Sequence, residues 1–158
     1  MLSMKEYMEK VGVTKEEYVI NWINQDLIPG VRKSTEGSYL FPESARRPYR
    51  ARCKERTNAK TIRASIVNAC LKQQYISPST FHLSKSEFES YIADLAKRGL
   101  IVQREDDGIV YYDSTAESEK LKGIGVKELA KKVHKCIVVV EPILSVAAST
   151  LAIADTLL

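Results

Sequence analysis

Reactive side chains are sparse in this chain, and their spacing builds no catalytic set. The two histidines, His82 and His134, and the three cysteines, Cys53, Cys70 and Cys136, are scattered and include no CxxC pair. His134 and Cys136 are near neighbours, but two ligands do not fill the tetrahedral shell of zinc. Their expected roles are an ordinary helix residue and a buried thiol. Odd, widely spaced cysteines fit reduced thiols in a cytoplasm better than a disulfide framework. There is no Gly-rich phosphate loop, no Ser-His-Asp arrangement and no recurring carboxylate pair. Neither an enzyme nor a cofactor-binding or metal-binding protein is expected.

What the chain does concentrate is positive charge. The net charge over 158 residues is +4, but residues 1–72 hold 14 Lys and Arg against 8 Asp and Glu, while residues 73–158 hold 10 against 12. Arg46, Arg47, Arg50, Arg52, Lys54, Arg56, Lys60 and Arg63 crowd together with Glu55 as the only acid among them. Such a cluster can neutralise several phosphates and release their counterions. The bland alternative is a basic, solvated linker.

The elements that would position these charges surround residues 27–48, LIPGVRKSTEGSYLFPESARRP. Pro29-Gly30 ends a preceding helix. Two short extended runs about a Gly-containing turn predict a small hairpin. Before it, Ser3 and Glu6 predict a capping box for a helix to about Lys10, closed by Gly12. Thr14 to Glu17 predict another for a helix to about Gln25. Trp22 is expected in the core. Helix, turn, helix and basic hairpin together predict a winged helix-turn-helix, a device that sets a helix in a DNA groove and a loop on the backbone beside it.

LIPG, a basic pair, a glycine turn, an aromatic residue, a proline, an acid, an alanine and Arg-Arg-Pro resemble the small excisionase-like, MerR-type helix-turn-helix domains. The resemblance covers roughly the first 50 residues and implies a partner in double-stranded DNA. The second helix would offer Lys15, Asn21 and Asn24, since Asn and Gln can pair with adenine in the major groove. The hairpin would offer Arg32, Lys33, Ser34, Thr35 and Tyr39, and the arm Arg46, Arg47, Arg50 and Arg52; contacts of this kind position a protein without reading sequence. Glu16 and Glu17 suit the helix dipole but repel phosphate.

The expected fold is mainly α with small β-hairpins: tandem winged helix-turn-helix modules plus C-terminal helices. The first module spans residues 1–48, a basic linker 49–57, the second module 58–115 and a helical tail 116–158. In the second module, Asn58 or Thr57 would cap a helix over about 59–74. Ser77 to Thr80 form a turn, and Ser84 and Glu87 a capping box for a helix to about Lys97. Strands over 100–104 and 109–113 flank the turn Glu105 to Gly108. FESYIADLAKRGLIVQREDDGIVYYD resembles the recognition-helix-and-wing half of many bacterial winged-helix proteins. Its acidic tip implies contact with protein, or bracing of the first module, rather than with phosphate.

Val126, Leu129, Ala130, Val133, Ile137 and Val140 recur at helical steps, with Lys127, Lys131, Lys132 and Lys135 opposite. Glu141-Pro142 should break or kink that helix. The apolar segment 143–158 is too short to cross a bilayer, and homodimerisation through it is the expected use; packing against its own second module is the alternative. With no leader apparent at residues 1–10, the protein is expected in the cytoplasm. The expected function is a small DNA-binding regulator or excisionase-like accessory factor. The alternative is a winged-helix adaptor that binds protein.

Overall fold

Ser3 starts the first helix as its spacing predicts. Its Oγ accepts from the Glu6 N–H at 3.2 Å, and the Glu6 carboxylate accepts from the Ser3 N–H at 3.3 Å, so donors left open by a helix start are satisfied reciprocally. In the computed structural model, which describes residues 1–137, this helix is α1 (Met4–Val11), and Gly12 ends it at φ 73°. The box expected at Thr14 does not form. Lys15 occupies the cap of α2 (Glu16–Asn24) without a side-chain cap bond, since an ammonium has no acceptor to offer. What holds α2 is its buried side, Val19 and Trp22, with Glu16 and Glu17 suiting the dipole in its first turn.

The first hairpin pairs β1 (Arg32–Lys33) with β2 (Tyr39–Leu40), Arg32 opposite Leu40. Beyond it, Leu2 and Phe41 exchange backbone hydrogen bonds of 2.7 and 2.8 Å. These ties bring Tyr7 and Phe41 into a stack, with ring centroids 4.3 Å apart. Val19, Trp22, Ile28 and Ala45 complete this first core.

A second core forms around α3 (Ala59–Leu71), capped by Asn58 Oδ1, which accepts from the Thr61 N–H at 3.0 Å. The apolar spacing predicts a one-faced helix. In place, α3 is buried on most sides, with Ala64, Ser65 and Ala69 covered as well as Ile62, Ile66 and Leu71. It stops short of the expected Gln74, because Gln73 turns the chain at φ 54°. A 3-10 turn (Pro78–Phe81) follows, then α4 (Lys85–Lys97), with the expected box of Ser84 and Glu87.

The second hairpin, β3 (Ile101–Asp106) and β4 (Ile109–Ser114), is longer than the residue pattern predicts. Its turn is only Asp107-Gly108, at φ 55° and 75°, the conformation that suits the twist of flanking strands. A short α5 (Ala116–Glu119) opens the segment expected as a helical tail. Residues 126–137 are helical, α6, and bury Leu129, Ala130, Val133 and Ile137 against α3 and α4's core while Lys127, Lys131, Lys132 and Lys135 stay exposed. Val140, the Glu141-Pro142 kink and the tail 143–158 lie outside the described residues. Among the described residues no helix is long and apolar enough to cross a membrane.

The molecule is therefore mainly helical with two small antiparallel hairpins. The segment expected as a free linker is tied down. Tyr49 is buried in the second core, donates to the Glu55 carboxylate at 2.8 Å and accepts from Asn68 Nδ2 at 3.3 Å, and a 3-10 turn (Cys53–Arg56) follows. The acidic second hairpin leans on the first core. Ser44 N–H donates to Asp107 at 3.4 Å, and Ser44 Oγ lies 3.1 Å from the Tyr111 hydroxyl.

Candidate nucleic-acid interface

Helical spacing puts Tyr18, Asn21 and Gln25 on one side of α2, away from buried Val19 and Trp22. All three are exposed, Tyr18 by 53%. They line a depression of about 490 Å³ with Thr14, Arg47 and Arg50. Arg47 is fixed relative to α2 by its guanidinium, 5.7 Å from the centroid of the Trp22 ring, a cation over an aromatic face. Amide side chains with two-way hydrogen-bonding capacity thus sit beside two exposed guanidinium groups. Chemically, the first can match a base edge and the second a phosphate.

Other expected residues go elsewhere. Arg46 leaves the phosphate-contact set, because its Nη1 lies 2.6 Å from Asp113 Oδ1 and its side chain is only 17% exposed. Arg63 is held by Asp94 at 3.4 Å and lies over the Tyr91 ring, and Arg56 pairs with the His82 ring. Among the basic run, Arg47, Arg50, Arg52 and Lys60 remain exposed.

In the first hairpin, Ser34 Oγ accepts from the Ser38 N–H at 3.1 Å, so that hydroxyl closes the turn. Tyr39 is half-buried against the first core, with the Lys33 ammonium 5.3 Å from its ring centroid. Thr35 is exposed at the tip. Arg32 lines a separate depression with Met1, Glu43 and Asp107, away from the α2 side. Lys15 lies 6.0 Å from the Tyr18 ring, and Asn24 is exposed at the end of α2. The expected sites therefore divide between the α2 side, with Arg47 and Arg50, and the hairpin side.

One cation absent from the expected set joins the first group. Lys72, just after α3, lines two depressions with Arg47. Nothing local in the sequence marks it, since its position depends on the pairing of residues 47–49 with Tyr75, far along the chain. Nearby, burial pushes the Tyr49 hydroxyl up to about 12, with its bonds to Asn68 and Glu55 acting in opposite directions. It stays a neutral donor to Glu55, so that acid is engaged beside the arginines. Compared with known protein families and with curated proteins, the chain matches none.

Proposed function

We propose that the protein binds duplex DNA through the exposed side of α2 and the arginine segment that follows the first hairpin. One observation carries the reading: Asn21 and Gln25 open into the same depression as Arg47 and Arg50. Base-edge hydrogen bonding and phosphate neutralisation need that juxtaposition, because phosphate contacts position a protein and groove contacts specify sequence. The helix, 3-10 turn, helix and hairpin order of residues 59–114 is compatible with a second winged module, and the resemblance to excisionase-like domains supports a first. In this reading the protein is a small regulator or accessory factor in the cytoplasm, a homodimer through residues 143–158.

A protein-binding adaptor is the second reading, favoured by Glu16 and Glu17, both exposed at the start of α2. The acidic second hairpin supports it less, because Asp107 and Asp113 already engage the first core. Selection of genomic DNA fragments with the purified chain at two salt concentrations tests the proposal. Enrichment at low salt that falls steeply as salt rises is expected; affinity unchanged by salt, or no duplex binding at about 50 mM, would rule it out.

A further inference from the structure

We infer that the phosphate-binding surface is composite, and that Lys72, brought from the end of α3, extends the row Arg47, Arg50, Arg52 along the duplex backbone. This rests on the duplex-DNA reading above.

Main-chain pairing carries the argument. Tyr75 N–H donates to the Arg47 carbonyl at 2.9 Å, and Tyr49 N–H donates to the Tyr75 carbonyl at 2.8 Å. The positive φ of Gln73 folds the chain back just before this bridge. The turn bearing Lys72 is thus fixed beside the arginine segment by backbone, not by the reach of flexible side chains. Lys72 and Arg47 accordingly line two depressions, one of about 490 Å³ and one of about 320 Å³ that continues to Arg50 and Arg52. All four cations are exposed. The acids sharing these depressions are Asp106 and Glu55, and Glu55 accepts from the Tyr49 hydroxyl. Arg46 and Lys10 also line the first depression, but Arg46 is paired with Asp113 and the Lys10 ammonium donates to the Glu43 carbonyl. The four cations of the row, set against Asp106 and an already engaged Glu55, suit a polyanion followed lengthwise.

The test uses the full chain and a mixed-sequence duplex, titrated between about 50 and 200 mM salt. Lys72→Ala keeps the backbone bond from Lys72 N–H to Asn68, and circular dichroism checks the fold. The logarithmic salt slope is expected to become shallower by about 0.9, one phosphate contact, with base preference unchanged. Lys85→Ala, the same charge loss at an exposed site in the first turn of α4, should leave the slope alone. A steep wild-type slope that Lys72→Ala retains, or that Lys85→Ala lowers equally, overturns the composite surface and leaves the DNA reading standing. Absence of wild-type binding at the lowest salt removes that reading, and the composite surface with it.

Discussion

Arg46 Nη1 lies 2.6 Å from Asp113 Oδ1, and this ion pair joins the first core to the second hairpin. The same guanidinium lies 4.5 Å from the Tyr111 ring centroid and donates to the Tyr112 carbonyl at 3.5 Å. The Arg46 carbonyl accepts from the Tyr7 hydroxyl at 2.9 Å, so its backbone is fixed from the other core. Asp113 also meets Arg104 at 3.1 Å, but that arginine is largely exposed.

Arg46→Ala should therefore cost about 2 to 3 kcal/mol, less than the 3 to 5 of breaking a fully buried pair, because Asp113 retains Arg104 and some water. A double-mutant cycle with Asp113→Ala, followed by urea unfolding, should return a coupling of about 1 to 2 kcal/mol. Additive single effects would mean that the pair is no more than a contact.

Gly30 offers an independent test of the same junction. Its φ is +78°, and a Cβ there would come within 2.7 Å of Pro42 Cγ and 2.9 Å of Ile109 Cδ1. The proline ring cannot swing aside, so Gly30→Ala combines left-handed strain with overpacking, about 2 to 4 kcal/mol. Gly37→Ala has a similar φ but open space around the new methyl group, and should cost about 1 kcal/mol. Equal losses in urea midpoint for the two variants would contradict the close approach of Gly30 and Ile109.

Local chemistry made much of this fold legible. Ser3, Asn58 and Ser84 sit where their short side chains can cap, and the helices start there. Asp107-Gly108 was readable as a turn, though not how tightly it closes. The sharing of charges was not readable. Arg46 and Arg47 are adjacent and chemically alike, yet one is bound to Asp113 and the other lies exposed over Trp22. That choice depends on a partner 67 residues along the chain, which no local pattern encodes. Tyr49 was hidden the same way, its burial arising from Asn68 and Phe81 rather than from its basic neighbours.

Alkaline pH should destabilise the protein through its buried acids, Cys70 and Tyr49 among them. Burial pushes the Cys70 thiol from 9.0 to about 12 and the Tyr49 hydroxyl from 10.0 to about 12. Well below pH 9 both groups are neutral in the folded and unfolded chains, and their contribution is intact. As pH rises from 9 towards 12 the unfolded chain loses these protons first, so stability falls. The urea midpoint should hold between pH 7 and 8.5 and drop by pH 10.5. A midpoint that rises over that interval would contradict the burial. Cys70 should also resist alkylation at pH 8 while half-exposed Cys136 reacts, as read by peptide mass spectrometry.

Asn21 and Arg47 should separate sequence preference from affinity. Both line the depression beside α2, but an amide can present a paired donor and acceptor to adenine whereas a guanidinium can neutralise phosphate. Asn21→Ala should lower binding to the selected site by about 1 to 3 kcal/mol and leave mixed-sequence binding nearly unchanged, relaxing preference at one position. Arg47→Ala should weaken both alike and flatten the salt slope by about 0.9. Competition of labelled selected site against mixed-sequence duplex, for each variant, gives both quantities at once. If Asn21→Ala weakened all duplexes equally, α2 would be a backbone contact, and base reading would have to come from another element.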